Sequence, residues 1–214
     1  MNVNAEVFDI DLYDNSASVV SQLHARGKKA ICYISAGTWQ RWRPDASKFP
    51  TTVRGSKVSG WAGEQWLDIR QWNVLGPIME ARLDLCKAKG FDGVEPDNVD
   101  GYDNRSGFPL TYQDQITYNM KIAAAAHARG LSVGLKNDIA QVRQLAPYFD
   151  WALNEQCYQY KECGDLNIFI AMGKPVFHVE YEVAPAKFCP YANSLNFNSL
   201  YKREDLDAYR IACR

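Results

Sequence analysis

The stretch "GFDGVEPDNVDGY", residues 90–102, sets four carboxylates, Asp92, Glu95, Asp97 and Asp100, among the apolar residues Phe91, Val94 and Val99. Like charges brought together in a dry place repel, and removing them from water is costly. A solvated loop would avoid the problem. A reactive site would use it, because crowded carboxylates have their pKa values pushed apart. One becomes a proton donor and another stays ionised, which is the pair that glycoside hydrolysis requires. Asp92, at the start of the run, reads as structural.

These acids have company. Late positions of most strand-like segments carry a polar or charged group: Asp11, Ser35, Asp68, Asp97, Lys136, Glu155 and Glu180. Side chains alternate across a strand. VFDIDLY therefore puts Phe8, Ile10 and Leu12 on one side and Asp9, Asp11 and Tyr13 on the other, and DGVEPD sends Glu95 and Asp97 to one side together. A single Asp at a strand end is ordinarily a cap or an ion-pair partner. Several converging carboxylates with Lys136 among them favour a site, because one lysine cannot neutralise them all. Trp39, Trp42, Tyr102, Tyr158 and Tyr160 offer the flat rings that carbohydrate sites use, and loop packing explains each about equally well. The candidate substrate-binding set is Asp9, Asp11, Tyr33, Trp39, Asp68, Glu95, Asn98, Asp100, Lys136, Asn137, Tyr158 and Glu180.

Rival chemistries are weaker. The sequence has no GxSxG nucleophile elbow and no HExxH or HxH zinc pattern. His24 and His127 precede helix-ending glycines and read as surface residues, and His178 reads as structural. Asp97, Asp100 and Glu155 could be imagined around a metal, but no histidine pattern supports this, and no metal or cofactor is expected. Acidic neighbours keep Lys136 charged and argue against a Schiff-base amine.

These residues need a scaffold. The 214 residues suffice for one domain with a substantial core, expected over 1–214. Hydrophobic residues make up 47% and charged residues 23%, and the net charge is −1. That balance excludes a broad basic face for nucleic acid, and no apolar run is long enough to span a membrane. Strands are expected at 7–13, 29–35, 66–69, 92–97, 132–137, 151–155, 175–181 and 197–201. Helices are expected at 15–27, 74–89, 111–130, 139–145, 165–172 and 203–212. "ARGKKAICY", "AKGFDGVEP" and "ARGLSVGL" each read as helix, glycine cap and strand, the turn of a parallel α/β fold. Eight strands in this alternation predict a single compact (β/α)8 TIM barrel, with a long irregular loop over 38–65 between the second and third strands.

Six cysteines, Cys32, Cys86, Cys157, Cys163, Cys189 and Cys213, are an even count without zinc spacing. They favour an exported, disulfide-bonded protein over a cytosolic one, although "MNVNAEVFDIDLYD" lacks the features of a signal peptide. Fifteen pairings are open. The expected one is Cys157–Cys163 as a small clamp, Cys189–Cys213 at the C-terminus, and Cys32–Cys86.

The strings "VFDIDLYD", "KAICYISAGTWQRWRPD", "GEQWLDIR", "GFDGVEPDNVDGY", "GLSVGLKND" and "DWALNEQC", in this order over nearly the whole chain, resemble glycoside hydrolase family 114, the endo-α-1,4-polygalactosaminidase barrels. The resemblance implies internal cleavage of α-1,4-linked galactosamine-containing polysaccharide, a cationic amino-sugar polymer, by a secreted monomer. It carries the two key acids onto Asp97 of "EPDNVD" and Glu155 of "NEQ", as nucleophile and general acid/base of a retaining reaction. The alternatives are a sugar-binding barrel without catalysis, and a hydrolase of another α-linked hexosamine polymer.

Overall fold

The computed structural model describes residues 3–214. In chain order its main elements are β1 (Val7–Asp11), α1 (Ala17–His24), β2 (Lys29–Ser35), β3 (Thr38–Gln40), β4 (Arg54–Lys57), β5 (Glu64–Leu67), α2 (Trp72–Lys89), β6 (Gly93–Asp97) and α3 (Tyr112–His127). Then follow β7 (Ser132–Lys136), α4 (Val142–Leu145), β8 (Trp151–Glu155), α5 (Cys157–Tyr160), α6 (Asn167–Ala171), β9 (Val176–Glu180), α7 (Pro185–Ser194), β10 (Asn198–Tyr201) and β11 (Ile211–Ala212). The large sheet has eight strands in the order β1-β2-β6-β7-β8-β9-β10-β11. Its members pair in parallel as far as β10, and β11 joins antiparallel to β10.

The helix-stop signals act as expected. Gly27, Gly90 and Gly130 have φ of 70°, 91° and 66°, the left-handed conformation that lets a helix end turn directly into a strand. Thr111 caps α3 in a reciprocal box: its hydroxyl accepts the Asp114 N–H at 3.1 Å, and Asp114 accepts the Thr111 N–H at 2.8 Å.

Three local expectations change. The segment at 66–69 falls at the end of β5, which pairs antiparallel with β3 and β4 in a separate three-stranded sheet. The eighth place in the large sheet goes to β11. The 38–65 excursion is thus partly ordered by its own backbone ladder. Residues 203–212 form no helix; they turn and enter β11. A helix does form at Pro185–Ser194, where Pro185 suits the first turn although Pro190 interrupts the pattern.

The chain divides into two units, Met1–Val133 and Gly134–Arg214. The core of the first gathers Phe49, Leu67, Leu75, Met79, Tyr118 and Ile122. Buried Phe169, Val176, Phe188 and Phe197 centre the second. Beside the first core, the Arg82 guanidinium is nearly fully buried. It donates to both Asp45 oxygens, at 2.7 and 2.9 Å, and to the Ser35 carbonyl at 2.6 Å.

All three expected disulfides are present: Cys32–Cys86, Cys157–Cys163 and Cys189–Cys213. Cys32–Cys86 spans 54 residues and is buried at both ends. Closing a loop of that length in the unfolded chain corresponds to about 4 kcal/mol in the chain-entropy account. The double variant Cys32→Ala/Cys86→Ala is expected to lose stability on that order in urea unfolding. Removing Cys157–Cys163, which closes a loop across only 6 residues, should cost less.

Candidate active site

In the first unit, strand register aligns the acidic rows. Asp11 lies opposite Tyr33, and Tyr33 opposite Glu95; one step further, Ser35 lies opposite Asp97. Asp97 ends β6 and is half-buried. Its Oδ2 accepts the Tyr33 hydroxyl at 2.9 Å and the Asn98 Nδ2–H at 3.2 Å. Its backbone carbonyl accepts the N–H groups of Ala36 and Gly37, at 2.9 and 3.1 Å. Gly37 has to be glycine: a Cβ there would lie 1.6 Å from the Asn98 carbonyl oxygen. The loop after β2 and the loop after β6 are thereby locked together around the carboxylate.

Glu95 is buried two residues before Asp97. Asp11 is clasped by Arg43 through both terminal nitrogens and also accepts the Tyr13 N–H at 2.7 Å. Asp9 is exposed, and Asp100 is half-buried where it opens the short turn over Gly101–Asp103. Asp68 is buried and forks onto Arg70 at 2.7 and 2.9 Å. Burial alone would raise its carboxyl, but the Arg70 hydrogen bonds and charge hold it below the usual range. Trp39, on β3, donates its indole N–H to the Ala46 carbonyl and lies under the Arg54 guanidinium, 4.2 Å from the ring centre.

In the second unit the central group is Glu155, at the end of β8. Its Oε2 accepts Asn137 Nδ2–H at 3.1 Å and lies 3.4 Å from Lys136 Nζ. Its Oε1 accepts the Tyr181 hydroxyl, and its backbone N–H donates to Asn137 Oδ1 at 2.9 Å. Lys136 and Asn137 of "LKND" therefore serve one carboxylate. Glu180 is fully buried; it accepts the Tyr158 N–H at 2.8 Å and lies 2.8 Å from His178 Nε2. It organises the start of α5, and through α5 it places Tyr158 beside a cavity of about 300 Å³ that Tyr191 also lines. Cys157, Cys163 and His178 are close enough together to suggest a metal cluster, but both sulfurs are consumed by their disulfide.

A local backbone feature repeats. Asn98, Asn137 and Gln156 each follow the end of β6, β7 or β8 with φ of 61°, 48° and 64°. Left-handed non-glycine residues are uncommon, and asparagine tolerates them best. Here they turn the chain sharply just past Asp97, Lys136 and Glu155. Sequence reasoning missed Tyr181 and Glu64. Tyr181 adjoins Glu180, the member of that pair to which alternation drew attention. Glu64 was hidden in a stretch read as loop.

The family model for glycoside-hydrolase family GH114 matches residues 1–214. The chain belongs to GH114. This GH114 chain is 43% identical to Aspergillus fumigatus Ega3, whose crystal structure is a complex with galactosamine, with a TM-score of 0.94 over 99% of this chain and 89% of that one. The glycoside hydrolase domain of PelA from Pseudomonas aeruginosa shares the fold, with a TM-score of 0.74 at 13% identity over 98% of this chain and 91% of that one. An uncharacterized protein of Deinococcus radiodurans is 27% identical over 76% of this chain, and the GH114 chain spans 59% of its length. The GH114 fold is thus the α/β barrel class that the helix–glycine–strand alternation predicts, and the chain is a glycoside hydrolase. No helix among the described residues is long and apolar enough to cross a membrane.

Proposed function

We propose that the chain is an endo-acting hydrolase of α-1,4-linked, galactosamine-containing polysaccharide, working as one barrel domain over 1–214 in a secreted monomer. The likeness to Ega3, seen bound to galactosamine at 43% identity, carries this reading. Three disulfides support an oxidising compartment. Asp97 is assigned as nucleophile and Glu155 as general acid/base. Tyr33 and Asn98 hold the Asp97 carboxylate so that one oxygen is oriented toward the anomeric carbon. Asn137 and Tyr181 fix the rotamer of Glu155, which must deliver a proton to the departing oxygen and later take one from water.

A second reading concerns acetylation. The β3–β5 sheet carries an open groove of about 580 Å³ lined by Trp39, Arg41, Lys57, Trp61 and Glu64 among others, and Trp61 is 59% exposed. Arg41 and Lys57 outnumber the one buried carboxylate, Glu64, and repel an amine-bearing sugar, whereas an exposed indole stacks well on a neutral one. This groove therefore favours N-acetylated units.

The test is incubation with partly deacetylated galactosamine polymer and mass spectrometry of what is released. Internal cleavage giving oligosaccharides is the expected result. The acetylation pattern at the new ends then reports which units the groove accepts. Binding without any product would leave a sugar-binding barrel instead.

A further inference from the structure

Glu64, on β5, is buried, with 5% of its surface exposed. One oxygen accepts the Thr38 hydroxyl at 3.0 Å and the other accepts Gln40 Nε2–H at 2.7 Å. A carboxylate only accepts, so the single hydroxyl hydrogen of Thr38 is committed to it. Thr38 Oγ1 then meets Ser35 Oγ with lone pairs alone, which makes Ser35 the donor in that contact. The remaining capacity of Ser35 Oγ is two acceptances. They are taken by the Thr38 N–H at 3.2 Å and Asn98 Nδ2–H at 3.1 Å. The second hydrogen on Asn98 Nδ2 goes to Asp97 Oδ2. From Asn98 through Ser35 and Thr38 to Glu64, one side-chain hydrogen at each link thus runs in the same direction; the Thr38 carbonyl, 3.4 Å from Ser35 Oγ, is a second and longer acceptor for the Ser35 hydrogen. A reversed Asn98 would turn its oxygen onto the lone pairs of Ser35 and onto the Asp97 carboxylate.

We propose that Glu64 is a positioning residue for Asp97: its charge sets the polarity of the Thr38–Ser35–Asn98 chain, so that Asn98 presents N–H to the carboxylate. The proposal rests on the reading of Asp97 as nucleophile. Two charged groups face Glu64, Arg43 and Asp97 itself, and burial pushes the Glu64 carboxyl up despite its hydrogen bonds. Among the groups that face Asp97 are Glu64, Tyr33 and Asn98. Arg43 also clamps Gln40, donating Nε–H to Gln40 Oε1 at 2.6 Å. Gln40 must therefore keep its NH2 toward residue 64. A glutamine at 64 would accept from Gln40 with its oxygen and aim its own NH2 at Thr38. Thr38 would have to accept, its hydroxyl would turn to Ser35, and the chain would reverse.

Glu64→Gln therefore has two opposed consequences. Loss of repulsion through space would lower the Asp97 pKa; loss of the Asn98 donor would raise it. The experiment is the pH profile of kcat/KM on the amino-sugar polymer, whose acid limb reports ionisation of the nucleophile in free enzyme. Four proteins are compared: wild type, Glu64→Gln, Thr38→Val and Thr38→Ser. Thr38→Val cuts the chain but keeps the charge of Glu64. The expected result is an acid limb raised by about one pH unit in Glu64→Gln and in Thr38→Val, and a wild-type limb in Thr38→Ser, which keeps the hydroxyl. A limb that falls in Glu64→Gln and stays put in Thr38→Val would overturn the relay and leave only charge repulsion. An unmoved limb in both would overturn it as well. Should Glu64→Gln fail to fold, as thermal melting would reveal, the two Thr38 variants decide alone. Wild-type turnover by Asp97→Asn would instead sink the assignment of the nucleophile, separately from the relay.

Discussion

Asp97→Asn is expected to remove polymer cleavage almost completely, by on the order of 10⁴-fold or more in kcat/KM, and Glu155→Gln to lower it by about 10²–10⁴-fold. The asymmetry follows from the chemistry. Without Asp97 no covalent glycosyl-enzyme forms. Without Glu155 the leaving oxygen departs unprotonated, which a good leaving group tolerates. An aryl α-galactosaminide with an acidic phenol should therefore lose far less rate in Glu155→Gln than the polymer does. Azide separates the two roles further. With Glu155→Ala it can attack the glycosyl-enzyme from the face that the leaving group vacated and give an α-azide. With Asp97→Ala it can only enter from the opposite face and give a β-azide. Product anomers read by proton NMR check both. A β-anomer as first product from wild type would replace retention with inversion. Neither amide variant should unfold the protein: Tyr33 and Asn98 both donate to one Asp97 oxygen, which an amide oxygen replaces, and at residue 155 the amide oxygen keeps the Asn137 donor while its NH2 can donate to the Tyr181 hydroxyl oxygen.

A large effect on stability is expected at Arg82. Its guanidinium is 2% exposed and is satisfied by Asp45 and the Ser35 carbonyl. Asp45 also accepts the Tyr13 hydroxyl at 2.9 Å. Arg82→Met leaves the Asp45 charge without its partner, and breaking a buried pair in this way costs about 3–5 kcal/mol. In a chain of this size that is a fall in Tm of roughly 10 °C. Replacing both partners with apolar residues should recover part of the loss, because no unpaired charge remains. Urea unfolding of the single and double variants checks this. The pair also fixes the sign of the pH dependence. Burial alone would raise the Asp45 carboxyl, but the hydrogen bonds and charge of Arg82 outweigh it and hold the carboxyl below the usual range. A depressed acid stabilises the fold above its unfolded pKa, and the contribution disappears as pH falls through the folded one. The advantage of wild type over Asp45→Asn should accordingly be present at neutral pH and shrink below about pH 4. On the alkaline side, burial pushes the Tyr13 hydroxyl up to about 12. Its contribution is complete below the ordinary tyrosine pKa of about 10 and is lost as pH rises toward the folded value.

Short-range patterns in the sequence determined a good deal of this protein. Helix, glycine and strand at three places require a left-handed residue at each turn, and Gly27, Gly90 and Gly130 supply it. Alternation in DGVEPD and WALNE brought Asp97 and Glu155 to strand ends before any fold was known. The even cysteine count pointed to disulfides and left fifteen pairings open; the three present are the expected ones. Tertiary structure alone decided what depends on distant partners. Whether 64–67 joins the parallel sheet or an antiparallel one depends on which edge it meets, and strand propensity is blind to that choice. The helix at Pro185–Ser194 carries an internal proline that local rules count against it, yet burial of Phe188 and Ala192 favours it. The roles of buried polar groups were hidden for the same reason. Glu180 and Tyr181 are neighbours in sequence, but one braces a helix start and the other holds Glu155. Glu64 is one acid among many until Thr38, Gln40 and Arg43 close around it. A buried polar atom takes its function from the donors and acceptors that fold onto it, and those come from chain segments too far apart for any local pattern to connect.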